Sequence, residues 1–137
     1  MENKKIINGE NAVLGRLASY TAKEALKGEE IIIVNCEKVL ISGNKEKIKE
    51  GFLAKRRRVG TTQKGPKYKM INERIVKNVI RGMLPNYRTG RGRDAFKRIK
   101  CYNQIPKEYE NAEMIKLEVK KPIKYAYVGE FGKWMIK

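Results

Sequence analysis

The sequence predicts an α/β fold with parallel strands, and two observations near its beginning point to this class. A short apolar segment at Lys4–Ile7 is followed by an amphipathic segment and then by a run of β-branched residues at Ile31–Val34. Strand, helix and strand within about thirty residues form a βαβ unit, which places its two strands parallel. An aliphatic run without alternation is typical of a strand that is covered on both faces.

The first helix is predicted from Ala12 to Lys27. Asn11 is a suitable N-cap, and Gly28 is a suitable stop signal. Apolar or small residues recur at three- and four-residue spacing, which indicates one buried stripe. They are Leu14, Leu17, Ala18, Thr21, Ala25 and Leu26.

The turn before this helix is a poor match to a nucleotide site. It contains one glycine, Gly9, where a dinucleotide-binding fingerprint needs three, and Glu10 stands where a pyrophosphate would sit. A structural turn is therefore the favoured interpretation. Cys36, just past the second strand, is interpreted as a small buried apolar residue.

Two more elements are predicted before the basic part of the chain. Val39–Ile41 is apolar and ends at the turn signal Ser42–Asn44. Lys45–Leu53 alternates lysine and glutamate around Ile48 and Phe52, which suits a short, solvated helix.

The best-defined helix spans Asn72–Met83 and ends before Pro85. One face is apolar and the other is basic, so the helix is predicted to bury the first and present the second. The apolar face comprises Ile71, Ile75, Val76, Val79, Ile80 and Met83. Arg74, Lys77 and Arg81 lie away from it.

Arg88–Arg93 interleaves arginine with glycine and is predicted as a turn whose glycines let the backbone approach a ligand. Asp94–Ile99 is predicted as a short helix with Asp94 near its N-terminus. Ile99–Tyr102 also suits a strand, so the two predictions overlap at Ile99.

The remaining residues predict short elements. Lys116–Val119 and Lys124–Val128 alternate apolar and polar residues, which suits strands or strand-like arms. Apolar residues near the end are expected to dock on the body or on a neighbour. These are Phe131, Trp134, Met135 and Ile136. Glu108, Glu110 and Glu113 could hold a catalytic pair, but no partner acid, base or metal ligand is in view, so a solvated segment is favoured.

Composition excludes many functions. The 137 residues contain no histidine and two distant cysteines, which removes the commonest general base and any four-ligand thiolate site. We therefore expect no catalytic residues, metal or cofactor. No run of 18 apolar residues and no signal-peptide core occur, and unpaired cysteines suit a reducing compartment, so a cytoplasmic protein without a membrane partner is predicted.

The positive charge is concentrated in one stretch, Lys55–Lys100. It holds 16 lysines and arginines against Glu73 and Asp94, so it carries +14 of the chain's net +17. Nine of the ten arginines lie in it. Such a stretch repels itself unless a polyanion neutralises it, and the planar guanidinium suits phosphate oxygens.

Val59–Lys69 lacks periodicity. Gly60 and Gly65 have the spacing of P-loop glycines, but Pro66 stands where the lysine is required, so the match fails. A flexible surface loop and a basic extension that orders on RNA are both open. The one-sided charge favours the second, with Tyr68 available to stack on a base.

Three classes of function fit this composition to different degrees. A structural RNA-binding protein fits the charge. An enzyme acting on RNA or a nucleotide needs a phosphate loop or a convergent set of acid, base and metal ligands, and neither is recognisable. A DNA or membrane binder needs a helix-turn-helix, a zinc module or an amphipathic membrane helix, and these are not recognisable either. The first class is favoured.

Three passages, taken in order, resemble the large-subunit ribosomal protein L-thirteen family. They are Leu14–Ser19 with Ile33–Asn35, then Ile41–Lys45, then Arg81–Pro85 with Thr89–Arg93, Arg98–Tyr102 and Pro106. Order and spacing match over about three quarters of the chain. The form of the third passage resembles the archaeal and eukaryotic branch.

The resemblance implies a three-layer α/β/α fold around a small, mostly parallel sheet, with basic loop extensions and a C-terminal arm. The resemblance also implies a non-catalytic constituent of the large ribosomal subunit that supports assembly. The length of the chain predicts one domain over residues 1–137, with a core at about 4–106 and an extension at about 107–137. The expected partners are large-subunit ribosomal RNA and neighbouring ribosomal proteins, with no small-molecule substrate.

The residues expected to contact RNA are selected for their charge or, for Tyr68, for its ring. They are Arg56, Arg57, Arg58, Lys64, Lys67, Tyr68, Arg81, Arg88, Arg91, Arg93, Lys97 and Arg98.

Overall fold

A four-stranded sheet organises the chain in the computed structural model, which describes residues 3–58, 71–117 and 120–133. In chain order the elements are β1 (Lys4–Asn8), α1 (Leu14–Leu26), β2 (Glu30–Val34), β3 (Leu40–Ser42), α2 (Lys45–Arg57), α3 (Asn72–Met83), α4 (Gly90–Lys97), β4 (Ile99–Cys101), β5 (Met114–Lys116), β6 (Tyr125–Tyr127) and α5 (Val128–Lys133). Short 3₁₀ turns lie at Cys36–Lys38 and Lys107–Tyr109.

The sheet has the order β4-β2-β1-β5, and each neighbouring pair is parallel. β2 is central, with Ile32 opposite Ile6 of β1 and opposite Lys100 of β4. Ile31–Val34 is fully buried, because two strands flank β2 and both of its faces are covered. The prediction of a βαβ unit with a doubly covered second strand is confirmed.

One face of the sheet packs against helices. Its residues Ile7, Ile31 and Ile33 form a single apolar core with the buried stripe of α1 and with residues of α3 and α4. α1 contacts both α3 and α4. This helical layer therefore fixes where the basic faces of α3 and α4 stand relative to the sheet.

The opposite face packs against the segment between β4 and β5. Ile6, Ile32 and Val34 contact a group of partly buried side chains there. These are Tyr102, Ile105, Tyr109 and Ala112, together with Met114 at the start of β5. The predicted three-layer α/β arrangement is confirmed, and in the described residues the second outer layer holds a 3₁₀ turn in place of an α-helix.

The turn between β1 and α1 differs from the prediction. Asn11 is not the N-cap, because its backbone is left-handed, with φ of 59°. Val13 is the N-cap and has no side-chain cap. The carbonyl of Ala12 instead accepts a hydrogen bond of 2.8 Å from the N–H of Leu40, and Val13 bridges to Leu40. Pairing with β3 therefore keeps this backbone extended until Leu14.

A buried carboxylate joins the end of α1 to β1. Glu24 is 8% exposed, and its carboxylate accepts hydrogen bonds from Lys5 at 2.6 Å and from Lys27 at 3.1 Å. Lys5 also lies 2.7 Å from Glu29. The hydrogen bond with Lys5 is the main reason that the pKa of Glu24 falls from 4.5 to about 2. α1 ends as predicted, with Gly28 in the left-handed conformation at φ of 100°.

The last described residues complete both sheets. β5 joins the main sheet beside β1, and β6 pairs with β3 in an antiparallel, two-stranded sheet. β5 begins earlier than the predicted Lys116–Val119, and residues 118 and 119 lie outside the described residues. Phe131 docks in the core as predicted, at 3% exposure. Residues 134–136 are also outside the described part, and the division into core and extension stays a prediction.

α2 is longer than the predicted Lys45–Leu53. Asn44 caps it by accepting a hydrogen bond from the N–H of Glu46 at 3.0 Å. It continues to Arg57 and buries no residue completely. Phe52 anchors it to the body, with its ring 5.3 Å from that of Phe131. The solvated character of this helix is confirmed, and in its basic last turn the ammonium of Lys55 lies 6.0 Å from the Phe52 ring centroid.

Candidate nucleic-acid interface

α3 has the predicted bounds and presents its basic face as expected. Ile75, Val76 and Ile80 are fully buried. Two members of the predicted apolar face are exposed, Ile71 by 56% and Met83 by 43%. They stand at the two ends of the helix, where the layer formed with α1 no longer covers them.

The prediction of a turn at Arg88–Arg93 is wrong in its second half, because Gly90–Lys97 is helical. Gly90 has a left-handed backbone, with φ of 63°. A Cβ on Gly92 would lie 2.3 Å from the carbonyl oxygen of Pro85. Gly92 therefore lets α4 pack on the turn after α3, rather than on a ligand.

The same helix corrects two neighbouring predictions. Asp94 lies inside α4 and not at its N-terminus, because the helix already begins at Gly90. The predicted helix and the predicted strand overlapped at Ile99. In the structure α4 ends at Lys97, and Ile99 is the first residue of β4.

Two aromatic rings organise the cations between α3 and α4. The centroids of Tyr87 and Phe96 are 6.2 Å apart. The guanidinium carbon of Arg81 lies 4.8 Å from the Tyr87 ring centroid, and that of Arg88 lies 5.4 Å from it. The ammonium of Lys77 lies 4.9 Å from the centroid of Phe96. We call these five side chains the cation–aromatic cluster.

Electrostatics within the cluster agree with its geometry. The Nε–H of Arg88 donates a hydrogen bond of 3.3 Å to the hydroxyl oxygen of Tyr87. This bond and the positive charge of Arg88 lower the pKa of Tyr87. A guanidinium stacked on a ring loses fewer rotamers when it binds and keeps N–H groups at its edges, which suits phosphate recognition.

α4 adds three cations to this region. Arg91, Arg93 and Lys97 are exposed, and none of them forms an ion pair within residues 3–58, 71–117 and 120–133. They stand on the same short helix as Phe96. The structure thus brings Arg81, Arg88 and the α4 cations into one region.

Arg98 has a partner inside the protein. Its Nη1–H donates a hydrogen bond of 3.2 Å to the carbonyl oxygen of Ala25 at the end of α1. A cation at a helix C-terminus also interacts favourably with the helix dipole. Arg98 therefore has a structural role, whatever its remaining N–H groups contact.

The other predicted residues belong to the end of α2 and to the segment after it. Arg56 and Arg57 are exposed in the last turn of α2, and Arg58 is exposed at its C-cap. Lys64, Lys67 and Tyr68 lie outside the described residues, as does the predicted loop 59–69.

Tyr87, Phe96 and Lys77 are not among the predicted site residues. Tyr87 directly precedes Arg88, and interleaved aromatic and basic residues are a signal for nucleic-acid binding. That signal does not show which ring each cation meets. The pairing of Lys77 with Phe96 depends on how α3 packs against α4.

The described residues give no support for a metal site, a catalytic carboxylate pair or a membrane-spanning helix. No group of three or more potential metal ligands occurs in them. Glu108, Glu110 and Glu113 are all exposed. No described helix has the length and apolar character needed to cross a bilayer.

The fold and this surface define a small, basic α/β protein with the surface chemistry of a polyanion binder. A family model described as Ribosomal protein L13 matches residues 2–108. The chain belongs to that family of ribosomal proteins, which is structural and not enzymatic, so the enzyme hypothesis is excluded.

Relatives in three archaea share this assignment, and each is described as large ribosomal subunit protein uL13. The relative from Methanopyrus kandleri is 49% identical over 82% of this chain and 70% of its own length. Those from Methanococcus maripaludis and Archaeoglobus fulgidus are 45% and 38% identical over 95% of this chain, and over 96% and 86% of their own lengths. The predicted archaeal character is confirmed, and the protein is a cytoplasmic component of the ribosome.

Proposed function

We propose that the chain is a structural constituent of the large ribosomal subunit that binds ribosomal RNA and supports subunit assembly. The single observation that carries the RNA contact is the cation–aromatic cluster together with the exposed cations of α4. Membership of the ribosomal protein L13 family supports the large subunit as the place where this surface acts. Neighbouring ribosomal proteins are its other proposed partners.

The contacts are directed to phosphates and RNA shape rather than to base edges. Arg91, Arg93 and Lys97 lie on solvent-facing helix surface, where they can reach a backbone that passes across α4. The stacked arginines, Arg81 and Arg88, present their N–H edges beside them. Arg56–Arg58, Lys64, Lys67, Tyr68 and Arg98 remain proposed contacts, selected by charge or by ring.

A titration of affinity against salt tests the proposal. If about 6–10 phosphates are contacted, the affinity for large-subunit ribosomal RNA should fall by about 10³–10⁵ between 50 and 200 mM salt. Filter binding measures this with large-subunit RNA, and small-subunit RNA of equal length serves as the matched control. A flat salt response would contradict the phosphate contacts, and equal affinity for both RNAs would contradict the large-subunit assignment.

Crosslinking in intact cells, followed by sequencing of the bound RNA, tests the same proposal without purification. Large-subunit ribosomal RNA should dominate the crosslinked reads. Enrichment of another RNA class would contradict the proposed function.

A further inference from the structure

The outer edge of β6 carries no strand partner among the described residues. The N–H of Gly43 donates to Lys124, and that of Val128 donates to Val39. In an antiparallel pair hydrogen-bonded positions alternate with non-bonded ones, so the backbones of Tyr125 and Tyr127 face away from β3. The N–H of Tyr127 donates to the side chain of Glu130, at 3.2 Å.

This edge is bordered by exposed apolar groups. Four large apolar side chains of the described residues are exposed, and two of them, Ile123 and Tyr125, belong to this segment. Ile123 is fully exposed, at 101%. The rings of Tyr125 and Tyr127 meet edge to face, with centroids 5.9 Å apart. An open strand edge beside apolar surface is a common template for pairing with another chain.

A groove of about 470 Å³ adjoins β6. Its lining includes Glu10, Glu37, Lys38, Lys121, Tyr127 and Gly129. Its wall is closely packed, because a Cβ on Gly129 would lie 2.9 Å from the carbonyl oxygen of Glu37. The loops after β1 and β2 contribute to it, and the carboxyl ends of parallel strands are where α/β sheets commonly receive partners.

The charge of the groove differs from that of the Lys55–Lys100 stretch. Two carboxylates and two lysines line it, against a net +14 in that stretch. Lys38 lies 3.9 Å from Glu10, and the ammonium of Lys121 lies 5.9 Å from the Tyr125 ring. Glu37 has no ion pair within the described part of the chain. The groove is thus charge-balanced, and it offers the half-buried side chain of Glu37 to a cation.

We propose that the β6 edge and this groove form a docking site for an extended, lysine- or arginine-bearing segment of a neighbouring ribosomal protein. The segment adds as a strand beside Tyr125–Tyr127, where its carbonyl replaces the Glu130 side chain as acceptor of the Tyr127 N–H. It covers Ile123 and Tyr125, and it places a cationic side chain against Glu37. The inference rests on the proposed function, since the neighbour is supplied by the subunit. The identity of the crosslinked product distinguishes this segment from RNA, from a second copy and from another part of this chain.

A photo-crosslinking experiment in assembled subunits tests the inference. A tagged chain with p-benzoylphenylalanine in place of Ile123 is produced in cells and purified within large subunits, which are then irradiated. Mass spectrometry of the digested adduct should identify a lysine- or arginine-bearing peptide of another large-subunit protein. Glu37→Lys, combined with the same probe, should lower the yield of this adduct severalfold, because it opposes like charges.

Glu110→Lys with the same probe is the matched control, since this carboxylate is exposed in the segment over the opposite face of the sheet. Its adduct yield should be unchanged. An adduct with RNA, with another part of this chain, with a second copy or with an acidic segment overturns the inference, as does no adduct from assembled subunits. Failure of the tagged chain to sediment with large subunits overturns the proposed function instead, so the two failures are distinguishable.

Discussion

Tyr87 is the residue on which two arginines of the candidate interface depend for their orientation. Arg81 and Arg88 both lie over its ring, and Arg88 also donates to its hydroxyl. A free arginine loses about 2 kcal/mol of rotamer entropy when it is immobilised, so an existing stack lowers that cost on binding. We therefore expect Tyr87 to affect RNA binding by holding the two arginines in place, even if the tyrosine itself does not contact RNA.

Replacing Tyr87 with alanine should weaken binding to large-subunit ribosomal RNA by about 1–2 kcal/mol, roughly a 5- to 30-fold reduction, because Arg81 and Arg88 must then lose their rotamer freedom on binding. Tyr87→Phe keeps the ring and should show less than half of that effect. Filter binding at fixed salt measures both variants, and thermal melting shows whether they remain folded. Equal affinity for the alanine and phenylalanine variants would contradict this role of the ring.

Glu24 is the residue whose protonation should govern acid stability. Its pKa in the folded protein, about 2, lies below its ordinary value of 4.5. The stabilisation by this carboxylate is therefore present above pH 4.5 and is lost as the pH falls towards 2, because the unfolded chain takes up the proton first.

Glu24→Gln should be less stable than the native chain at neutral pH, and the difference should shrink as the pH falls through this window. Urea midpoints measured across that range report the effect, and Glu110→Gln, at an exposed carboxylate outside the α-helices, is the control. If the stability difference between the Glu24 variant and the native chain does not change with pH, the lowered pKa of Glu24 in the folded protein is contradicted.

At the scale of elements, the contact between α4 and the turn after α3 sets the position of the cation–aromatic cluster. Gly92 makes that contact possible, since a Cβ would lie 2.3 Å and 2.6 Å from the carbonyl oxygens of Pro85 and Asn86. Both are backbone atoms and cannot move aside as a flexible side chain could. The spacing between α3 and α4 therefore depends on the absence of a side chain at this one position.

Gly92→Ala should destabilise the protein by about 1–3 kcal/mol, or more, through this overlap. Gly51→Ala in α2 is the matched control, because nothing lies within 4 Å of its added Cβ. That control should be stabilised by roughly 0.5–1 kcal/mol, as an alanine replaces glycine inside a helix. Chemical denaturation of both variants tests the pair. If Gly92→Ala leaves the free energy of unfolding unchanged, α4 must be able to shift without loss of stability.

Elements with a strong local pattern were predictable from the sequence, and those determined by tertiary contacts were not. The bounds of α3 follow from its periodicity and from Pro85. The N-terminus of α1 does not follow from Asn11, because pairing of Ala12 with Leu40 competes with capping. The candidate interface shows the same division, since charge selects Arg81 and Arg88 as candidate contacts, but only packing reveals the aromatic rings beneath them.

Across the described part of the molecule, the surface has a cationic region, which we propose contacts phosphate, and a charge-balanced region, which we propose contacts protein. The exposed cations of α4 and the cation–aromatic cluster lie in one, and the charge-balanced groove beside β6 lies in the other. A ribosomal protein between RNA and a protein neighbour needs both. Because the Lys55–Lys100 stretch carries nearly all of the net charge, the response to salt should follow the phosphate region alone.

A triple variant, Arg91→Gln with Arg93→Gln and Lys97→Gln, should reduce the slope of log affinity against log salt by roughly 0.7–0.9 for each phosphate that is no longer neutralised. The control removes the same charge elsewhere, at exposed Lys4, Lys23 and Lys107. Its slope should stay close to that of the native chain. Equal reductions in the two variants would show that net charge, and not the α4 surface, governs binding.

The parallel sheet also has a consequence for the order of synthesis. β1 emerges first and can pair with β2 soon afterwards, but its other neighbour, β5, is made about 100 residues later. During that interval one edge of β1 has no strand partner, and unpaired strand edges can pair with other nascent chains. At about 5–20 residues per second this interval lasts roughly 5–20 seconds. Newly made chains should therefore need a protective chaperone until their last strands emerge.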